Sequence, residues 1–307
     1  MVRLWVANTD HDWFDFLATQ TAIDEVNFWQ PSGGMNFGAI QAGELFLFRL
    51  KAPRNVIGGY GVFSHASNLP ISLAWEAFGV KNGANSLAEM RLRVGKYRND
   101  ISSPFTDYVI GCRIVVQPVF FPEHLWIPQP KSWAPSIVVG KTYDTDEAEG
   151  LELWKRLSEY HPAQTRPDFS EPQIRYGEPT LVKPRLGQGA FRIAVTDAYD
   201  RTCAISGGKV LPALDAAHIK PYGLGGTHEL SNGILLRRDI HSVFDAGYVT
   251  IDDQYRFVVS ERVKTDFNNG NEYRRLHGSF LMKPAAPRDW PDREALRWHN
   301  DNVFRGT

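Results

Sequence analysis

The sequence predicts an α+β protein built as two domains. Three observations carry that expectation. The chain has 307 residues, more than one typical domain of roughly 100–200 residues holds. Runs with strand spacing and runs with helix spacing follow one another in both halves, with no internal repeat. Between the halves, from His161 to Leu186, apolar periodicity vanishes and Pro162, Pro167, Pro172, Pro179 and Pro184 punctuate the chain. Such a proline-rich stretch reads as a semi-rigid linker. The expected division is a first domain over 1–160, a linker over 161–185 and a second domain over 186–307.

Each element has its own local reason. Val2 to Ala7 alternates as a strand, and Asp12 to Leu17 follows as a short helix with Thr9 or Asp10 at its N-cap. Asn27-Phe28-Trp29-Gln30-Pro31-Ser32-Gly33-Gly34 reads as a loop. Glu44 to Leu50 and the glycine-rich Val56 to Ser64 read as neighbouring strands, Ser72 to Phe78 and Ser86 to Tyr97 as helices. Ile110 to Phe120, rich in β-branched residues, is a further strand, and Glu147 to Tyr160 a closing helix. Beyond the linker, Ala190 to Tyr199 places Phe191, Ala194, Val195 and Ala198 on one helical face. Two short strands are expected around Thr202 to Ile205 and Leu214 to Ile219, then a glycine turn at Tyr222 to Gly226. A short helix over Ile240 to Phe244 precedes a hairpin of Tyr248 to Ile251 with Arg256 to Val259, turning at Asp252-Asp253.

Composition narrows the function. Apolar residues make up 43% and charged residues 22%, ordinary for a soluble domain. The formal net charge of −1 means that any nucleic-acid surface is a local patch. The two cysteines, Cys112 and Cys203, form neither a disulfide framework nor a four-cysteine zinc site, so no structural zinc is expected and a reducing cytoplasm is the simplest compartment. No apolar run is long enough for a membrane span.

The chemistry concentrates in Asp215-Ala216-Ala217-His218-Ile219-Lys220-Pro221, Asn232-Gly233 and His241-Ser242-Val243-Phe244-Asp245. His218 stands 14 residues before Asn232, and Asn232 stands 9 before His241. A histidine closing a strand, a glycine turn, a mid-loop Asn and a histidine on a helix resemble the HNH (ββα-metal) nucleases. The resemblance implies His218 as general base, Asn232 as the residue that fixes the loop and orients the histidine, and His241 as a metal ligand. Phosphodiester hydrolysis needs a water stripped of a proton, which suits a histidine. It also builds negative charge that a divalent cation, Mg²⁺ or Mn²⁺, offsets. Asp245, four residues after His241, shares its helical face and is a candidate second ligand. Many HNH nucleases carry a ligand immediately before the base; here that residue is Ala217. Asp215, two residues earlier on the same strand face as Ala217, is the candidate replacement. Cys203 keeps one cysteine of the Cys-x-x-Cys pairs found in zinc-stapled relatives and reads as a packing residue. His228, His277 and His299 read as solvated or structural.

Arg185-Leu186-Gly187-Gln188-Gly189-Ala190-Phe191-Arg192 resembles the segment before the motif in predicted HNH restriction endonucleases. Arg185, Gln188 and Arg192, with Lys220 and Arg237, are candidate DNA contacts; the plainer alternative for this run is a helix start with solvated arginines. In the first domain, Gly43-Glu44 leading into LFLFRL and then VIGGYGVF is similar to the PUA-like superfamily, with its EVE, ASCH and SRA-type modules. That resemblance implies a β-barrel with flanking helices, and in some members an aromatic pocket for a flipped, modified base. Trp29, Gln30 and Ser32, then Arg54, Asn55 and Trp75, are the candidate pocket residues. In a chain with 9 tryptophans any single one is more often core.

The expectation is a metal-dependent, modification-dependent restriction endonuclease acting on double-stranded DNA. Double-strand cleavage by a single-site nuclease often needs two copies, which leaves a homodimer open. Two rivals stand beside it: an inactive module that binds modified nucleic acid, and a nuclease toxin whose first domain binds a protein.

Overall fold

The computed structural model describes residues 2–33, 37–98, 106–159 and 179–306. Gly34, Tyr160 and the prolines from Pro162 to Pro172 lie outside the described residues. The chain divides into two compact units, residues 1–190 and 191–307.

The first unit is one sheet with helices. Its strands are β1 (Arg3–Thr9), β2 (Glu25–Gln30), β3 (Leu45–Leu50), β4 (Val56–Pro70), β5 (Val109–Phe120), β6 (Ile127–Pro128) and β7 (Gly140–Asp144). The order is β2-β5-β4-β3-β1-β7, with β6 also paired to β4. β1 and β3 run parallel, and the other pairs are antiparallel. All six residues of β3 are buried, Arg49 included, as expected of a largely apolar strand covered on both faces. Helix α1 (His11–Ala18) buries Trp13, Phe14 and Leu17, and α2 (Ile71–Phe78) buries Ile71, Ala74 and Phe78. Helix α3 (Leu87–Gly95) starts at Ser86, whose hydroxyl accepts from the Glu89 amide while the Glu89 carboxylate accepts from the Asn85 amide. Helix α4 (Ala148–Ser158) packs Leu153, Trp154 and Leu157 inward.

Two expectations are corrected here. The stretch Asn27 to Gln30 is not a loop: it is the second part of β2, in register with β5 from Glu25↔Val116 to Gln30↔Gly111. The closed barrel is not seen either, because the end strands β2 and β7 are unpaired with each other among the described residues. The sheet is instead open and curled. Register shifts at Phe48/Arg49, Tyr60/Val62 and Phe63/His65 bend it. Asn8 of β1 and Gln30 of β2, well apart in the strand order, line one cavity.

Helix α5 (Gln188–Ala198) leads into the second unit. There β8 (Leu214–His218) pairs antiparallel with β9 (Gly233–Arg237), His218 facing Gly233, and α6 (Arg238–Asp245) follows directly. This is a ββα unit. A hairpin of β10 (Val249–Ile251) and β11 (Phe257–Val259), then α7 (Arg262–Phe267), α8 (Asn271–Arg274) and α9 (Arg293–Asn302), complete the unit. Thr202 to Ile205 is a turn rather than a strand. The Cys203 thiol is buried there and accepts from the Ser206 and Arg237 amides, so the cysteine fastens the turn to the end of β9. Among the described residues no helix is long and apolar enough to cross a membrane.

Candidate nuclease site and a second cavity

The ββα unit brings the motif residues together. His218 ends β8 and is half-buried. Its ring stacks on Phe191 with centroids 4.0 Å apart and planes 14° from parallel. Gly233 makes room for that stack, since a Cβ there would lie 2.8 Å from the Phe191 ring. His218 Nε2 lies 3.0 Å from His228 Nδ1, and His228 is in turn stacked on Tyr222 at 4.5 Å. Burial, then the neighbouring His228 and His241, hold the His218 imidazole down at about 4. It is therefore neutral at physiological pH, the state a proton acceptor needs.

Asn232 is buried, and its amide ties the loop shut. Its Oδ1 accepts from the Lys220 amide at 3.0 Å, and its Nδ2 donates to the Lys220 and Thr227 carbonyls at 2.9 and 2.8 Å. Those bonds hold both ends of the segment that carries the chain from His218 past His228.

His241, on α6, stands between two carboxylates. Its Nδ1 is 3.2 Å from Asp215 Oδ2 and its Nε2 is 3.2 Å from Asp245 Oδ2. Burial opposes its charge, but the hydrogen bonds to Asp215 and Asp245 outweigh it and raise the imidazole to about 9. Burial would raise Asp215, yet the His241 hydrogen bond and the Arg192 charge, 3.3 Å away, keep its carboxyl below the usual range. Among the described residues no three His, Cys, Asp or Glu side chains are gathered round one point as a finished metal sphere. On the Nε2 side the donors suit a hard divalent cation: one imidazole nitrogen and the Asp245 carboxylate, between which a cation would displace the ring proton and keep water as its other ligands. Asp215, at Nδ1, is placed to orient the ring, and Asp245, at Nε2, to share an ion with it.

The candidate DNA contacts fare differently. Arg192 is engaged by Asp215, and the Arg237 guanidinium is held by Asp239. Lys220 lies over the Trp298 ring, 5.4 Å from its centroid. Arg185 and Gln188 are exposed in the first unit. The glycines beside them admit protein, not phosphate. The Gly189 and Ala190 amides donate to the buried Glu25 carboxylate, both at 2.8 Å, so the start of α5 already holds an anion of its own.

The first unit holds a separate cavity of about 340 Å³. Trp13, Phe28, Trp29 and Tyr97 supply aromatic wall, and Asn8, Gln30, Ser32 and Arg113 supply polar groups. The Trp29 indole is fixed by donating to the Asn82 carbonyl at 3.0 Å. Arg54, Asn55 and Trp75 stand elsewhere. Arg54 pairs with Asp15 at 2.6 Å, Asn55 accepts from Arg49 at 2.6 Å, and Trp75 sits half-buried on α2. Several residues escape the sequence, Asn8, Trp13 and Tyr97 of the cavity among them. His228 lies in no motif spacing, and Arg113 sits in an apolar strand with nothing local to mark it; only its alternation position across from Phe28 hints at the cavity.

The HNH endonuclease family profile matches residues 203–252, the ββα unit and its flanks. No curated protein matches the chain. Among solved structures the chain is similar to one titled "Modification dependent TagI restriction endonuclease", at 14% identity and a TM-score of 0.31. That alignment covers 84% of this chain and 62% of the other, so the chain spans about three-fifths of that protein's length. The matched residues 203–252 contain His218, Asn232 and His241 and support an endonuclease, and HNH endonucleases generally use a divalent metal.

Proposed function

We propose that the protein hydrolyses DNA phosphodiester bonds with a divalent metal, and that its first unit selects DNA by a modified base. The observation that carries the nuclease reading is the neutral His218 beside a carboxylate-clamped His241, in one ββα unit. His218 Nε2 and His228 Nδ1 share one proton; in the tautomer where His218 donates it, Nδ1 of His218 keeps its lone pair to take the proton from the attacking water. Asp245 and His241 would hold the cation, with Asp215 steadying the ring. When bound, the ion offsets charge on the phosphoryl and leaving oxygens. Asn232 keeps the loop closed throughout. The aromatic cavity with its amide and hydroxyl groups supports the selection step, because stacking and edge hydrogen bonds are what a flipped base needs.

The test is digestion of matched duplexes carrying cytosine, 5-methylcytosine or 5-hydroxymethylcytosine. Cleavage should stop with EDTA and return with Mg²⁺ or Mn²⁺. Activity that survives exhaustive chelation overturns the metal mechanism. Uniform cutting of all duplexes overturns the selection. A second reading, a binder without catalysis, rests on Ala217 standing where a ligand often stands; absence of cleavage with any metal, alongside retained binding, would establish it. Double-strand cutting with a sedimentation shift to a dimer on DNA would show two copies acting together.

A further inference from the structure

Two guanidiniums are buried in the first unit's sheet, and they are treated differently. Arg49 and Arg113 are each 6% exposed. Arg49 is saturated by amide oxygens: Nε donates to Gln129 at 3.1 Å, Nη1 to Asn8 at 2.7 Å and Nη2 to Asn55 at 2.6 Å. Arg113 has one hydrogen-bond acceptor among the described residues, Gln30 Oε1, which takes a single Nη2–H. Its flat faces are covered by Phe37, 4.4 Å away, and Trp5, 5.8 Å away. No carboxylate pairs with it among the described residues. Burial alone lowers it to about 10, so it stays charged. The one acid on the same cavity wall, Asp10, is already taken by Lys51 and by the Tyr97 hydroxyl at 2.8 Å.

A buried cation costs several kcal/mol unless something compensates it. Here Nε and Nη1 have no acceptor among the described residues, and neither is enclosed, so both open to solvent from a side chain on the wall of an aromatic cavity. We propose that the cavity takes a planar ring carrying an anionic substituent, a nucleobase with a carboxylate, and that Arg113 is the residue that selects it. The inference rests on the reading of this unit as a base reader. The ring lies against the Trp29 and Phe28 wall, and the carboxylate accepts a charge-assisted hydrogen bond from Nη1 of Arg113. Gln30 holds the guanidinium in place through Nη2. A neutral methyl or hydroxymethyl group in the same position leaves the guanidinium uncompensated.

The test is equilibrium binding of the full chain, in EDTA, to duplexes differing at one base: cytosine, 5-methylcytosine, 5-hydroxymethylcytosine or 5-carboxylcytosine. The carboxylated duplex should bind about ten- to a hundredfold tighter than the others, the range of a hydrogen bond to a charged group. Arg113→Met should erase that preference. Gln30→Glu, which sets an internal carboxylate beside Arg113, should erase it as well while leaving the melting temperature at or above the parent's. The second variant keeps the test decisive if Arg113→Met does not fold. Equal binding of methyl and carboxyl duplexes, or a preference that survives Gln30→Glu, overturns the inference and leaves the reader intact. Failure to tell any modified duplex from cytosine overturns the reader and this inference together. Free 5-carboxy-dCMP should compete and dCMP should not; equal competition would make the phosphate the anion and overturn the assignment.

Discussion

The HNH site and the aromatic cavity use charge in opposite ways. In the HNH site each ionisable group already has a partner: His241 has Asp215 and Asp245, Asp215 has Arg192, and His218 has His228. In the cavity Asp10 and Lys51 satisfy each other, and Arg113 keeps open donors. That contrast fits the proposed division of labour: a catalytic site gains by fixing its own protonation states beforehand, a selective one by leaving a demand that only one ligand meets.

The largest effect should come from removing the base. His218→Ala should lower the cleavage rate by about 10²–10⁴ and leave modified-duplex affinity unchanged, which a single-turnover assay and a binding titration would show side by side. Parental rates would break the division of labour. Next comes the cavity wall: Trp29→Ala should weaken binding of a modified duplex about ten- to a hundredfold, the usual scale for a base–aromatic stack. Unchanged affinity would place recognition elsewhere.

Asn232→Ala removes three hydrogen bonds from a buried loop. It should cost about 1–3 kcal/mol in chemical denaturation and slow cleavage about tenfold, a scale set by the loosened loop. The smallest effect should be His228→Ala. Below its pKa a base is protonated and idle; above it, neutral and competent. His228 helps to hold His218 at about 4, so its removal lets the value climb toward 6.5. The acid limb of the rate profile should then move toward neutrality, while the rate at pH 8 falls by less than about tenfold. An acid limb that stays put would mean that burial against Phe191 is sufficient.

The grouping of the candidate nuclease residues is legible because they are close in sequence. His218, Asn232 and His241 span one ββα unit, and their spacing reflects the hairpin and helix that bring them together. Even there β9 went unseen, since Gly-Ile-Leu-Leu-Arg has no alternation to separate strand from helix. Thr202 to Ile205 misled in the other direction, because Cys203 is buried to fasten a turn. The cavity was legible only in part. Trp29, Gln30 and Ser32 stood out beside Pro31 and Gly33, although those same turn formers hid the strand carrying Trp29. Asn8, Tyr97 and Arg113 come from distant parts of the chain and meet only because the sheet curls.

Phe191 and Gly233 occupy a single parcel of space: all of the ring on one side, no side chain on the other. If the two positions were randomised together and survivors chosen for cleavage, they should not vary independently. Bulk gained at 233 would have to be surrendered at Val195 and Phe191, and the base would lose its stacked cover as it was. A laboratory lineage that enlarges 233 alone is expected to end there.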